Sequence, residues 1–273
     1  MLKSTFLHIR GVSALKESKL WDQGVFDWDT LFNSPQAPKS PTWRQESLQA
    51  YANQDTSYFA KKLPNGEHWR IAATFPETTM FLDIETTGYE PGSSVTIIGW
   101  SMGQEFKVWV NHRDDPTEFL RDLSRAKCLV TFNGRCFDAR FIARHFQDDY
   151  ILSLPHADLR FLCRRLFLKG GLKEIERQLG WSRESGVSDG LEAVILWEKY
   201  RSRRQKDSVR KQALRNLIHY NYEDVIVLKR LFNECLKRLL SHETLIAKAK
   251  PFPLEVAQDF SDPQAFPFSL DLI

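Results

Sequence analysis

Thr79-Met80-Phe81-Leu82-Asp83-Ile84-Glu85-Thr86-Thr87-Gly88 is an apolar, β-prone run that ends abruptly in two carboxylates one residue apart. In a strand, residues i and i+2 share a face, so Asp83 and Glu85 point the same way. Two side-by-side acids ahead of a turn-forming Thr-Thr-Gly repel each other unless a positive charge lies between them. A divalent metal is the candidate this pattern raises.

Outward from this run, residues 80–85, 95–102 and 105–110 read as three short strands, the last two joined by Gly103-Gln104 as a hairpin turn. Helix (116–125), buried strand (128–132) and helix (138–146) follow, then a short strand near His156. Helical patterns at 159–168, 172–179, 191–200, 208–218 and 223–240 complete the domain. Three antiparallel strands followed by α-β-α units predict an α/β mixed sheet flanked by helices, the layout of a ribonuclease-H-like fold.

Composition agrees with an ordered core, at 42% hydrophobic and 27% charged residues over 273 positions. The net charge of +3 decides nothing. Its distribution says more: residues 160–215 hold 15 Lys/Arg against 7 Asp/Glu, an excess of 15 − 7 = +8. That suits either a polyanion or a solvated helix face. Cys128, Cys136, Cys163 and Cys235 show neither CxxC pairs nor disulfide-framework spacing. No apolar run approaches the roughly 18 residues of a membrane span, and Lys3, His8 and Arg10 interrupt the N-terminus where a leader would be apolar. The expectation is a soluble, cytoplasmic protein.

Two further acids stand out. Asp138 closes Thr131-Phe132-Asn133-Gly134-Arg135-Cys136-Phe137-Asp138, where a strand ends and a helix begins. It suits a helix cap or a carboxylate of the site. Asp224, in His219-Tyr220-Asn221-Tyr222-Glu223-Asp224, opens the last apolar stripe of Val225, Leu228, Leu231 and Phe232. Helical spacing stacks Tyr220 over Asp224, with His219 rotated by one residue step.

The Asp-Ile-Glu-Thr-Thr-Gly, Phe-Asn-Gly-x-x-Phe-Asp and Tyr-x-x-x-Asp runs, in this order, resemble the three motifs of the DEDD (DnaQ-like) 3′→5′ exonuclease superfamily. Residues 78–240 are most similar to its YprB-type ribonuclease-H-like domains, including His156-Ala157-Asp158-Leu159 and Leu172-Lys173-Glu174-Ile175-Glu176. The resemblance implies metal ligation by Asp83, Glu85, Asp138 and Asp224. It further implies two Mg²⁺ or Mn²⁺ ions about 3.5–4 Å apart, hydrolysing single-stranded DNA or RNA, or frayed ends, to nucleoside 5′-monophosphates. The superfamily divides on whether a tyrosine four residues before the last aspartate or a histidine five before it orients the attacking water. Tyr220 and His219 fill both spacings, and helical register favours Tyr220. A tyrosine positions a water, whereas a histidine suits a general base near neutral pH.

Substrate contacts are assigned to Phe137 as a stacking wedge and to Asn133, and to Thr87 and Gly88 through backbone N–H groups; core packing and a plain turn are the structural counterparts. Asp158 reads as the N-cap of the helix after it. Two other functions fit the same fold: an inactive nucleic-acid-binding or scaffold module, and a ribonuclease-H-like endonuclease. Four retained, mutually repelling carboxylates disfavour the first, and paired acids at i and i+2 of the first strand disfavour the second.

Outside the domain, residues 1–34 form a helical unit in which Ile9-Arg10-Gly11-Val12-Ser13 resembles a degenerate helix-hairpin-helix element, with Arg10 and Ser13 in place of proline and glycine. Residues 35–77 combine a Pro/Ser-rich linker with an ambiguous segment containing a helix over 44–62. The tail, 241–273, ends Ser269-Leu270-Asp271-Leu272-Ile273, a loose likeness to the bacterial sliding-clamp-binding peptide.

Overall fold

Thr79–Thr86 forms β1, the middle strand of a five-stranded sheet. The computed structural model describes residues 1–39, 42–90, 92–183 and 190–247, with side chains as far as Ser241. Val95–Met102 (β2) pairs antiparallel with β1, and Glu105–Val110 (β3) pairs antiparallel with β2 across the Gly103-Gln104 turn. Gly103 has φ +63°, which a tight hairpin demands and glycine adopts without strain. Cys128–Thr131 (β4) and His156–Asp158 (β5) pair in parallel on the other side of β1. The order β3-β2-β1-β4-β5, flanked by helices, is the mixed α/β, ribonuclease-H-like sheet expected from the sequence.

Alternation along β1 divides the core. Met80, Leu82 and Ile84 pack with Phe119 of Thr117–Arg125 (α6) and Ile142 of Asp138–Phe146 (α7). Phe81, on the opposite face, meets Phe232 edge-on at 5.8 Å between ring centroids. That phenylalanine belongs to Asp207–Ala247 (α12). The apolar stripe at Val225, Leu228, Leu231 and Phe232 is fully buried, so α12 is held mainly by burial along one face. The expected pair of helices, 208–218 and 223–240, is one continuous helix. Tyr220 and Asn221 interrupt the apolar stripe because they reach the carboxylates at the end of β1, not because the helix stops.

Tyr150–Ser153 (α8) packs with α7 on the other face through Ile151, and Leu159–Arg165 (α9), Leu172–Gln178 (α10) and Gly190–Arg201 (α11) complete this layer. Asp158 caps α9 by accepting from the Arg160 N–H at 3.1 Å.

Ahead of the sheet lie Ala14–Asp22 (α1), Trp28–Phe32 (α2), Thr42–Ala52 (α3), Thr56–Lys62 (α4) and Trp69–Thr74 (α5). The single helix expected over 44–62 is broken between α3 and α4: Gln54 has φ +50° and Asp55 restarts the chain by accepting from the Tyr58 N–H at 3.1 Å. Arg10-Gly11-Val12 leads into α1, whose first turn is capped by the Ser13 hydroxyl accepting from the Lys16 N–H. Leu2, Phe6, Leu20, Trp28, Phe59 and Trp69 share one core with α12 and β4. Trp28 is 2% exposed, and truncating so buried an indole costs about 3–5 kcal/mol. No helix among the described residues is long and apolar enough to cross a membrane. Residues 269–273, with the clamp-like sequence, lie outside the described residues.

Candidate active site

Asp83 and Glu85 lie on the α12 side of β1, where α12 crosses its C-terminal end. Asp83 pairs with Gly99 of β2, and a register shift after Glu85 bends the strand where its carboxylates emerge. Asn221 of α12 donates from Nδ2 to Asp83 Oδ2 at 3.0 Å, and Asp224 lies three residues further along the helix. One carboxylate oxygen from each of Asp83, Glu85 and Asp224 lies within 4.8 Å of the other two.

Asp138 approaches from the opposite layer. It is the first residue of α7, after Phe137, and no side chain caps that helix. The backbone of Asp138 itself and of Ile84, the residue between Asp83 and Glu85, lies close enough to its carboxylate to favour the charged form. Asp138 thus sits beside the three-membered group without belonging to it among the described residues.

Burial raises the Asp83 carboxyl well above the usual range, and the charges of Asp224, Asp138 and Glu85 add to the effect. Glu85 is raised in the same way, by burial and then by Asp224. Asp138 is pushed up to about 7 by burial, with Asp158 contributing. Burial also raises Asp224, opposed by the guanidinium of Arg183. Asp83, Glu85 and Asp224, which resist ionising together, form an all-oxygen donor set able to hold a divalent cation of the hard type that oxygen ligands prefer, with Asp138 beside it.

A cavity opens over these carboxylates. Its floor is Asp83, Glu85 and Asp224, and its walls include Gly88, Tyr89, Phe137, Val194 and Tyr220. Phe137 packs on Phe141 at 4.5 Å and faces Tyr89 at 5.8 Å between centroids. The Tyr220 ring is buried, and its hydroxyl is pushed far above its usual range by burial and then by the charges of Asp224, Glu85 and Asp83. Tyr220 therefore stays protonated. His219 is half-buried with its ring 6.4 Å from that of Tyr222, and is not among the described residues lining the cavity.

The remaining nominated residues divide. Gly88 lines the cavity, whereas the Thr87 N–H is committed to the Ser94 carbonyl at 2.9 Å and is not on offer to a nucleotide. Asn133, with φ +65°, donates its N–H to Asp158 Oδ1 at 2.8 Å and accepts from Arg160 Nη1 at 2.8 Å. Its backbone thus ties the turn ahead of Asp138 to Asp158 and its side chain meets Arg160, and it is not among the described residues lining the cavity.

A family model described as the RNase_H superfamily matches residues 80–236, more than half of the chain. The chain belongs to the RNase_H superfamily. The matched span of this RNase_H superfamily member carries all four nominated carboxylates, and membership makes it a nuclease-type domain with nucleic acid as substrate. Nucleases of this fold use divalent metals, in keeping with the acidic cluster. No curated protein matches the chain.

Several residues at the site escape a reading of the sequence alone. Asn221 shares a helical face with Asp224, the one signal that marks it. Gly99 in mid-strand signals a close approach: a Cβ there would lie 1.8 Å from Asn221 Oδ1. Arg183 binds Asp224 across 41 residues of sequence, and Tyr89 reaches the cavity from a loop. Neither leaves a local pattern.

Proposed function

We propose that this domain is a divalent-metal-dependent 3′→5′ exonuclease that removes nucleoside 5′-monophosphates from single-stranded nucleic acid or frayed ends by a two-metal mechanism. The observation that carries the reading is the group formed by Asp83, Glu85 and Asp224, with Tyr220 on the wall of the same cavity. The motif order and the paired acids at i and i+2 of β1 favour an exonuclease over an endonuclease of the same fold.

Asp83, Glu85 and Asp224 would hold the cation, Mg²⁺ or Mn²⁺, with Asp138 beside them. Bound there, the cation supplies an activated water and charge stabilisation for the leaving oxygen. Tyr220, on the wall of the same cavity, would orient that water through its protonated hydroxyl, a reading supported by its place beside the carboxylates. Phe137 and Tyr89 offer aromatic surface to the terminal base, a contact that tolerates any sequence.

Incubating the protein with 5′-labelled single-stranded DNA or RNA and Mg²⁺ or Mn²⁺ tests the reading. It requires a ladder shortening from the 3′ end, abolished by Asp83→Ala and by EDTA. Binding without cleavage would instead identify a nucleic-acid-binding module.

A further inference from the structure

A site made to hold divalent cations has no evident need of a buried guanidinium, yet Arg183 is placed against Asp224. Its Nη2 lies 2.7 Å from Asp224 Oδ1, and its Nε lies 2.7 Å from Glu176 Oε2. Nη2 also bonds Glu176 Oε1, so Glu176 holds the fork in a bidentate grip. The side chains are 11% exposed for Arg183, 9% for Asp224 and 4% for Glu176. Nη1 is buried and has no hydrogen-bond partner among the described residues. The same guanidinium stands 5.7 Å from the centroid of Tyr220, which lines the cavity, and Lys173 Nζ stands 4.4 Å from that centroid.

Three consequences follow from charge. In the absence of a divalent ion, Arg183, shared between Glu176 and Asp224, supplies part of the positive charge that the acids of the site require. When a divalent ion enters, the guanidinium and the ion are like charges in a low-dielectric site, and each disfavours the other. A phosphate bridging them relieves that repulsion, and a guanidinium with a spare N–H is the side chain best suited to grip it.

We propose that Arg183 makes cation loading depend on the nucleotide phosphate: it weakens cation binding to the empty site, and it binds the phosphate once that group arrives. This rests on the exonuclease reading for the identity of the ligand. Its class is a nucleotide phosphate of any base, since none of these contacts reads a base.

The test is calorimetric titration of Mn²⁺ into the full chain with and without saturating adenosine 5′-monophosphate, independent of turnover. For the wild type, the nucleotide should tighten Mn²⁺ binding by about tenfold or more, and Mn²⁺ should tighten nucleotide binding equally. Arg183→Met should bind Mn²⁺ alone several-fold more tightly, while the nucleotide's effect shrinks to roughly threefold or less. Arg183→Lys keeps the charge and loses the fork, so it should match the wild type for Mn²⁺ alone and bind the nucleotide less tightly. A misfolded variant would lose Mn²⁺ binding, the opposite of the result expected for Arg183→Met, and retention of wild-type Mn²⁺ affinity by Arg183→Lys excludes disruption of the site. Unchanged or weaker Mn²⁺ binding by Arg183→Met, or undiminished coupling, would overturn the proposal while leaving the nuclease reading intact. Failure of the wild type to bind Mn²⁺ under any condition would remove both.

Discussion

Asn221 and Asp83 join helix α12 to strand β1: the Asn221 amide donates to Asp83 Oδ2 at 3.0 Å and lies 3.3 Å from the Asp83 carbonyl oxygen. Asn221 is fully buried, and Gly99, paired with Asp83 across β1 and β2, provides the space it occupies. Two carboxylates on a strand and one on a helix thereby meet at a fixed separation.

Asn221→Ala should lower turnover by about 10–100-fold while the domain stays folded, the usual cost of losing a residue that orients a ligating group. Gly99→Ala should reproduce the defect, because its methyl group would stand where the Asn221 side chain lies. Steady-state kinetics alongside circular dichroism measure both. Wild-type turnover by Gly99→Ala would break the proposed link.

Tyr220→Phe removes only a hydroxyl and should reduce kcat by about 10²-fold, the scale of a misplaced reactant, with KM little changed. His219→Ala should leave kcat within a few-fold of the wild type, since His219 is not among the described residues that line the cavity. The assignment fails if the histidine change alone abolishes turnover.

Tyr89 is 74% exposed, so Tyr89→Ala tests substrate stacking without disturbing the core. Losing one base–aromatic contact costs about 1–3 kcal/mol, and KM for a short single strand should rise accordingly. Binding measured by fluorescence anisotropy in Ca²⁺ gives the same quantity without turnover. No change in either would place the terminal base elsewhere.

The raised carboxyls make the metal-free chain sensitive to alkali. Burial lifts Asp83, Glu85 and Asp224 above their unfolded values and Asp138 to about 7. The folded chain therefore retains protons that the unfolded chain releases. This contribution is fully present below about pH 4, where unfolded carboxyls titrate, and is lost as pH rises through the folded values, near 7 for Asp138. In EDTA, Asp83→Asn should become more stable than the wild type as pH rises, because it removes one of the acids whose ionisation burial opposes. The buried imidazoles of His8 and His156, both lowered by burial to about 3, slope the other way. Their stabilisation is complete above about pH 6.5 and is lost as pH falls toward 3, in both proteins alike, so the difference between variant and wild type isolates the carboxylates. Adding Mn²⁺ at 100 times its Kd should return about 2.7 kcal/mol to the wild type and less to Asp83→Asn. Urea unfolding across pH 5–8 measures all of this, and a gap that narrows with rising pH would contradict it.

The parts of this fold written in the sequence are those governed by short-range rules. The run from Thr79 to Gly88 announces its strand because β-prone residues stop at two acids and a turn, and Gly103-Gln104 announces its hairpin because one residue must take positive φ. Helix α12 was legible except at its middle, where Tyr220 and Asn221, which reach the site, break the apolar stripe by which helices are recognised. The break between α3 and α4 was hidden because Asn53-Gln54-Asp55 contains neither glycine nor proline. Asn221, Tyr89 and Arg183 reach the site through tertiary proximity, which no local spacing records.

The central claim is removal of single nucleotides from a free 3′ end, and a pair of substrates of one sequence tests it most directly: a linear single strand and the same strand ligated into a circle. With Mg²⁺ or Mn²⁺, the linear strand should be converted to nucleoside 5′-monophosphates while the circle stays intact over the same time. Cutting of the circle would show endonuclease action and contradict the account.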